Sequence, residues 1–312
     1  MKKSLLTLLL TISVSFLFAQ QDTTYWRIGG STALTFSQVS LTNWAAGGQN
    51  SIAINSNFGI FANRIKDRGK WENSLDLGYG LINQEESDGF SKSDDIISFT
   101  TKYSYKMHSD NDHWYFTGIL DFRTQFANGF ATPEQEERIS DFMAPGYLTA
   151  GIGIAYDPSE QLSFSYQPIT GKFTFVLDQA LADSGAYGVR AAILDDMGNV
   201  VKSGRKERNE FGSFVRVKYK NDFFESKLEL FTGYLDNQGE VDVNWQNALV
   251  FNLTKVISVN AFTQLIYDKD ILIGKDDDGD GEIDPGTEKP RLQFKSVLGI
   301  GLAYSFGAQR PE

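Results

Sequence analysis

The sequence predicts an all-β fold, in which long antiparallel strands run up and down and close into a transmembrane β-barrel. Three observations predict it. Hydrophobic residues alternate with polar or small residues over long stretches, about twelve such stretches follow one another, and short connections alternate with generally longer ones. A period of two indicates extended strands with two different faces. Strands of soluble domains usually have about five or six residues, so stretches of this length are better matched to an oblique bilayer crossing.

Each stretch carries aromatic or branched residues at every second position. In chain order the stretches are residues 26–37, 51–63, 71–81, 97–106, 114–126, 148–156, 162–167, 213–219, 224–234, 241–251, 257–267 and 292–306. The last shows the two faces most plainly, because Leu298 and Ile300 alternate with Gly299 and Gly301. Since every backbone polar group must be paired in lipid, we expect the strands to close into a barrel with the oily face outward and the polar face around a lumen.

The connections support the same topology. The short gaps are residues 64–70, 107–113, 157–161, 221–223 and 254–256, and the generally longer gaps are residues 38–50, 82–92, 127–146, 177–210, 235–240 and 268–290. Short periplasmic turns and long extracellular loops are typical of outer-membrane barrels, and an even strand number returns both termini to the periplasmic side. A secreted two-sheet sandwich also alternates, but its strands are shorter and its outward face is polar. Aromatic residues near strand ends, which would sit at the two membrane interfaces, are Trp26, Trp71, Trp114 and Tyr156.

The N-terminus has the pattern of a secretory signal peptide. Lys2 and Lys3 precede a largely apolar run from Leu5 to Phe18, and Ala19 comes before a polar stretch. This run is shorter than the roughly 20 apolar residues that a membrane helix needs. We therefore predict a signal peptide over residues 1–19 and a barrel domain over residues 20–312.

Composition narrows the classes of function. The chain has no cysteine, which excludes disulfides, thiolate metal sites and acylation of an N-terminal cysteine. Its formal net charge is -11, which argues against nucleic acid as a partner. The 29 glycines, 13% aromatic residues and only 7 prolines suit long strands joined by tight turns.

Five segments together resemble a known family. They are QVSLTNWAAGGQNS (38–51), APGYLTAGIGIAYDP (144–158), PITGKFTFV (168–176), VDVNWQN (241–247) and PRLQFKSVLGIGLAYSF (290–306). In these segments the chain is similar to an uncharacterised family of Bacteroidota-type bacteria, a domain of unknown function predicted to form an outer-membrane barrel. The resemblance covers nearly the whole mature chain. It implies the fold and a location in the bacterial outer membrane, and it implies no activity.

The last long loop contains a calcium-binding pattern. In KDDDGDGEID, alternating carboxylates, a glycine at the sixth position and a carbonyl at the seventh match the first nine positions of a calcium loop. The candidate ligands are Asp276, Asp278, Asp280, Glu282 and Asp284. Position twelve is Thr287 instead of the bidentate Glu, so we expect weak Ca²⁺ binding, at about 10⁻⁴ to 10⁻³ M. The alternative is a solvated acidic loop without a metal.

Charged residues of both signs fall on the predicted lumen face. They are Arg27, Glu72, Asp76, Lys102, Asp121, Arg123, Arg216, Lys218, Glu229 and Lys295, with further charges at Lys106, Glu225, Lys227 and Asp242. This set can act as a selectivity lining, or its members can pair across a narrow barrel and seal it. The sequence leaves both readings open, although Gly299, Gly301, Ala303 and Ser305 leave free volume along one wall.

Two further groups of residues were weighed as sites. Trp44, Gln49 and Asn50 lie in a glycine-containing loop, and they either contact a sugar or peptide ligand or anchor the loop in the barrel mouth. His108 and His113 flank a polar periplasmic turn. The alternatives are a metal site and a plain solvated turn, of which we favour the turn, and at this end of the barrel neither histidine could serve a hydrolase acting at the outer leaflet. There is no G-x-S-x-G motif either. The sequence therefore predicts no enzyme.

Two functions remain. The first is a porin-like channel that passes small polar solutes, and the alternative is a closed barrel whose calcium-stiffened extracellular loops bind a ligand or a partner protein. Membrane lipid is the one partner that both require.

Overall fold

The computed structural model describes residues 25–40, 50–84, 89–108, 113–130, 137–235, 239–254, 256–274, 284 and 286–307. The predicted signal peptide, residues 1–19, lies outside these ranges and stays a prediction. No helix among the described residues is long and apolar enough to cross a membrane.

Nearly all regular structure is β-strand. The strands are β1 (Trp26–Val39), β2 (Ser51–Lys66), β3 (Gly69–Gln84), β4 (Phe90–Lys106), β5 (Trp114–Thr124), β6 (Gly129–Phe130), β7 (Arg138–Ser140), β8 (Gly146–Tyr156), β9 (Leu162–Phe175), β10 (Ile193–Leu194), β11 (Val200–Lys202), β12 (Glu207–Lys220), β13 (Phe224–Gly233), β14 (Asp242–Asn252), β15 (Ile257–Tyr267), β16 (Leu272–Ile273), β17 (Lys289–Pro290) and β18 (Gln293–Gly307). Within the described ranges, a short α-helix, α1 (Gln179–Ser184), follows β9 and is itself followed by a 3₁₀ turn at Ala186–Gly188.

Twelve of these strands form one closed antiparallel barrel. Their order around it is β1, β18, β15, β14, β13, β12, β9, β8, β5, β4, β3 and β2. Apart from the β1–β18 pair, each barrel strand therefore pairs with the barrel strands that come before and after it in the chain. The first and last strands close the seam, where Ser31 pairs with Ser305 and Phe36 with Ile300. The predicted up-and-down barrel of about twelve strands is confirmed.

The outer surface of the barrel is apolar. On β18, Leu298, Ile300 and Leu302 are 69%, 59% and 54% exposed, and other strands likewise present large apolar side chains outward. In water such a surface would be costly, whereas in a bilayer it meets lipid. Aromatic side chains gather at the periplasmic strand ends, with ring centroids 5.5 Å apart for Trp26 and Trp71 and 4.7 Å apart for Trp114 and Tyr156.

Several predicted strand boundaries were wrong. β4 begins at Phe90 instead of Ile97, β12 begins at Glu207 instead of Ser213, and β9 continues to Phe175 instead of ending at Gln167. Two causes explain this. Strand ends beyond the hydrocarbon need no apolar outer face, so their alternation is lost, and β-bulges in the β8–β9 and β9–β12 ladders change the phase of the pattern.

The extracellular connections carry the strands that the alternation did not predict. These are three two-stranded sheets, made by β6 with β7, β10 with β11 and β16 with β17. The connection between β9 and β12 packs on the one between β5 and β8 through a small apolar core, which contains Ala144, Val176, Leu181, Ala182 and Val189. We call this unit the extracellular cap.

Polar contacts fix the geometry of the cap. Asp178 caps α1 by accepting a hydrogen bond from the Leu181 amide, and Gly185 ends the helix with a φ of 78°. The Tyr187 hydroxyl donates to the Ile139 carbonyl at 2.5 Å, which ties the two connections together. Burial raises the pKa of Tyr187 to about 12.

Candidate functional site in the barrel interior

The pleat of the strands places the predicted lumen charges opposite the apolar outer face. Many of them contact residues on strands that are not neighbours in the sheet, and such contacts are only made through the interior. They fall into three levels along the barrel, which we call the extracellular, central and periplasmic layers.

The central layer consists of Asp121, Arg123, Arg216, Lys227 and Glu229. Arg123 on β5 donates to Glu229 on β13 at 2.5 Å, although three strands separate β5 from β13 in the sheet. Arg216 on β12 reaches Asp121 at 2.7 Å and Glu229 at 2.6 Å. The Nζ of Lys227 lies 3.8 Å from Glu229. These bonds cross one side of the interior and bind β5 to β12 and β13.

The acids of the central layer are removed from solvent. Asp121 and Glu229 are each 5% exposed. Asp121 also accepts a hydrogen bond from the Thr100 hydroxyl at 2.6 Å, and Glu229 accepts one from the Asn244 amide at 3.0 Å. Buried ions persist only when they are paired and hydrogen-bonded. The central layer meets this condition for both acids.

An apolar cluster supports the central layer. Ile119, Phe214 and Phe231 are buried together inside the barrel. The guanidinium carbon of Arg216 lies 5.2 Å from the centre of the Phe214 ring, and the Nζ of Lys172 lies 5.2 Å from that of Phe231. The alternation of the sequence did not predict this cluster, because it places aromatic residues on the lipid face.

The extracellular layer is centred on Lys172 of β9. Its Nζ lies 2.6 Å from Asp242, 3.2 Å from Asp268 and 3.7 Å from Glu210. Arg208 continues the network to Asp270 in the β15–β18 connection. Lys172 was missed in the sequence because the predicted strand stopped before Pro168. The sequence feature that could have revealed Lys172 is the change in alternation after Tyr166: outward-facing residues are even-numbered up to Tyr166 and odd-numbered from Ile169.

A second part of the extracellular layer lies across the barrel. Lys295 of β18 is 2.8 Å from Asp94 of β4, so this pair spans the interior. Lys92 lies 2.9 Å from Asp95 and also donates to Gln125 and Ala127 beyond β5. Of these residues, only Lys295 was predicted from the sequence.

The periplasmic layer contains the remaining predicted pairs. Lys70 lies 3.1 Å from Glu72 and 3.6 Å from Asp157, and Glu72 faces Lys102 in the β3–β4 register. The layer also contains Lys218, 2.9 Å from Glu225, and Lys220 beside the same carboxylate.

The opposite side of the interior is lined by small residues. β18, β1, β2 and β3 are adjacent in the barrel, and their inward positions include Gly299, Gly301, Ala33 and Gly78. Four inward polar side chains here are exposed, namely Ser31, Asn57, Asp76 and Ser305. Arg27 is exposed at the periplasmic end of the same surface. We call this surface the accessible wall.

The other side of the interior is more completely filled. On β4 and β9, the inward polar residues Ser104, Gln167 and Thr170 are 0% exposed, whereas on the accessible wall Thr35 and Asn55 are 4% and 8% exposed. Gln167 has no hydrogen-bond partner for either amide atom among the described residues. The interior therefore has a filled half, which carries the central layer, and a half in which Ser31, Asn57, Asp76 and Ser305 are exposed to solvent.

Most of the other predicted site residues lie outside the described ranges. These are Trp44 and Gln49, and the calcium-loop residues Asp276, Asp278, Asp280 and Glu282. Asn50 and Asp284 are described at the edges of those segments. Among the residues with described positions, no group of three or more His, Cys, Asp or Glu side chains is arranged to hold a metal ion.

The fold and its two surfaces define the class of protein. A closed barrel of twelve long antiparallel strands, with an apolar outer face and a charged interior, is the architecture of an integral protein of the bacterial outer membrane. The predicted location in the bacterial outer membrane is thereby confirmed.

One family model matches part of the chain. Residues 36–130 match the family described as "Protein of unknown function (DUF3078)". This segment runs from the end of β1 to β6 and contains the first of the five segments on which the resemblance was based. The predicted resemblance to an uncharacterised family is confirmed for this stretch. No curated protein matches the chain significantly.

Solved structures with similar folds include other outer-membrane proteins. The translocator domain of the autotransporter NalP from Neisseria meningitidis is 11% identical with a TM-score of 0.33, and the match covers 94% of this chain and 92% of that one. The COG4313 outer membrane channel from Pseudomonas putida F1 is 10% identical with a TM-score of 0.39, covering 93% and 98%. The toluene transporter TbuX from Ralstonia pickettii is 10% identical with a TM-score of 0.28, covering 91% and 89%. Sequence identities and TM-scores this low support no inference about the function of this protein.

Proposed function

We propose that the protein is an outer-membrane channel that passes small polar solutes along the accessible wall. The observation that carries this proposal is the division of the interior. Long paired side chains fill the half built by β5, β8, β9, β12 and β13, while Ser31, Asn57, Asp76 and Ser305 remain exposed on the other half. Polar and small residues facing a solvent-accessible lumen suit hydrated solutes and do not suit apolar ones.

The dimensions favour a narrow path. Twelve strands about 4.8 Å apart and tilted by about 40° enclose a backbone cylinder roughly 24 Å across. The central layer occupies one side of this width, so the free cross-section is much smaller than in the larger porins. Asp76 and Arg27 on the wall, together with the Lys295–Asp94 pair toward the outer mouth, are the charges that a solute would meet. The proposal includes no catalytic step.

The absence of native cysteine allows a direct test. Single substitutions Ser31→Cys and Ser305→Cys should each react with a small, charged, thiol-specific reagent, and the reaction should reduce the single-channel conductance of the refolded protein in a planar bilayer. The matched control is Ser104→Cys, which also faces inward but is 0% exposed and should neither react nor change conductance. Silence of the unmodified protein, under conditions in which a known porin conducts, would exclude the channel.

The alternative function is a closed barrel that binds a ligand with its extracellular loops. The extracellular cap favours it, because the apolar core and the Tyr187 bond hold two long connections in one fixed arrangement. A fixed platform loses little conformational entropy when it binds a partner. This function predicts a barrel without conductance steps and a ligand whose binding depends on the loops.

Within the alternative function, we propose that Ca²⁺ stiffens the β15–β18 connection. We expect the full chain to bind one Ca²⁺ with a dissociation constant of about 10⁻⁴ to 10⁻³ M by calorimetry. The double substitution Asp276→Asn/Asp278→Asn should abolish this heat, because it removes two carboxylates from the predicted loop. Asp195→Asn/Asp196→Asn, in the β10–β11 hairpin, removes the same charge and should leave it unchanged. Equal binding by both variants would place the ion elsewhere.

A further inference from the structure

A cavity of about 320 Å³ lies at the periplasmic end of β2, β3 and β4. Basic and aromatic residues dominate its lining, which consists of Arg64, Lys66, Asp67, Arg68, Gly69, Trp71, Tyr103 and Tyr105. None of these residues belongs to the three charged layers of the lumen. The cavity opens on the outer face, since Trp71, Tyr103 and Tyr105 are 41%, 50% and 43% exposed there.

Strand register brings the lining together. Arg64 pairs with Trp26 on one side and with Trp71 on the other, and Trp71 pairs with Tyr103. One row further toward the periplasm, Lys66 pairs with Gly69 and Gly69 with Tyr105. The glycine keeps the floor open, because a Cβ at Gly69 would lie 2.8 Å from the Tyr103 hydroxyl.

The three cations are held in place without a carboxylate partner. Arg68 donates from Nε to the Lys106 carbonyl at 3.1 Å and from Nη2 to the same oxygen at 2.6 Å, and its guanidinium carbon lies 4.9 Å from the centre of the Tyr105 ring. The Nζ of Lys66 lies 4.9 Å from the centre of the Tyr25 ring. Within the described residues, Arg64, Lys66 and Arg68 make no salt bridge, although most basic residues of the interior do.

We propose that this cavity binds the phosphate of a phospholipid of the periplasmic leaflet. Three cations and a single acid, Asp67, line it in a chain whose net charge is -11, so the cavity is a local basic site. Arginine and lysine form strong charge-assisted hydrogen bonds with phosphate, and basic pockets at membrane interfaces bind lipid head groups. Tryptophan and tyrosine mark the head-group level of the bilayer.

The position of the cavity selects a lipid over a free anion. Because it opens on the lipid-facing side of the β2–β4 wall, acyl chains of a bound molecule would continue along the apolar outer face above Tyr103. Free inorganic phosphate would gain the charge interactions and none of this apolar contact.

Native mass spectrometry of the purified, detergent-solubilised full chain tests the assignment. We expect one short-chain phosphatidylglycerol to be retained per barrel and a diacylglycerol with the same chains to be lost. The double substitution Arg64→Gln/Lys66→Gln should weaken retention of phosphatidylglycerol by about tenfold or more. Arg64→Lys/Lys66→Arg keeps the charges and should restore it. Folding of each variant is checked by its heat-modifiable mobility on gels.

The matched control is Lys202→Gln/Arg205→Gln, which removes the same charge from the extracellular connection between β9 and β12 and should not alter retention. Equal retention by the Arg64/Lys66 double variant and the unmodified chain would overturn the proposal, and so would equal retention of the diacylglycerol. Displacement of the lipid by a modest excess of inorganic phosphate would overturn the lipid assignment and identify a site for free anions.

Discussion

Glu229→Ala should destabilise the barrel by about 3–5 kcal/mol, because it leaves buried cations without their counter-charge. Glu229 is 5% exposed and accepts hydrogen bonds from Arg123, Arg216 and Asn244. Asp121 can still neutralise Arg216 in the variant, at 2.7 Å, but Arg123 and Lys227 lose the acid nearest to them. Urea unfolding of the protein refolded in phospholipid vesicles, followed by tryptophan fluorescence, measures the change in unfolding free energy.

The same strand supplies the control. Glu225 lies four positions before Glu229 on β13, also faces inward and also contacts two cations, Lys218 and Lys220. Its side chain is 32% exposed against 6% for Glu229. Since water screens partly exposed ion pairs, Glu225→Ala should cost no more than about 1 kcal/mol. Similar losses for the two variants would show that the central layer is solvated and does not bind β5 to β13.

The sequence was sufficient to predict the twelve barrel strands and the face on which the charges in their regularly alternating parts lie. Both follow from the pleat, because side chains alternate between lipid and lumen with a period of two whatever the rest of the fold does. Glu229 was assigned to the lumen because Leu228 and Leu230 flank it, and the structure places its contacts inside the barrel. The same argument located Asp121, Arg216 and Lys295.

The pairing of these charges could not be predicted. Arg123 and Glu229 are 106 residues apart in sequence, and their contact depends on the order and stagger of four intervening ladders. A β-bulge also interrupts the alternation from which the strands were predicted. The bulge near Gln167 and Pro168 shifts the inward positions by one residue, and for this reason the alternation did not predict that Lys172 faces inward at the centre of the extracellular layer. Loop sites depend on local chain geometry, so the calcium loop and Trp44 stay predictions.

Gly301→Ala should prevent stable closure of the barrel, with a loss of more than about 3 kcal/mol. A Cβ at position 301 would lie 2.3 Å from the Leu34 carbonyl oxygen and 3.0 Å from the Thr35 Cα. These are backbone atoms of β1, so relief requires β1 and β18 to move apart at the seam where the first and last strands meet. Separation would break ladder hydrogen bonds between strands whose outward face meets lipid, which offers no replacement partners. The folded fraction in vesicles and the urea midpoint both report the effect.

Alanine substitutions at two other glycines are the controls, because they show whether the effect at Gly301 comes from the backbone clash or from replacing any strand glycine. At Gly118 on β5 the nearest atom to an added Cβ is 4.0 Å away, so Gly118→Ala should change stability by no more than about 0.5 kcal/mol. At Gly299 the nearest atom is the Thr35 Cγ2, at 2.3 Å. A side chain can rotate away, so Gly299→Ala should have an intermediate effect. The loss of stability should therefore decrease in the order Gly301→Ala, Gly299→Ala, Gly118→Ala. Normal folding of Gly301→Ala would contradict the close approach of β1 and β18 or the register of the last strand.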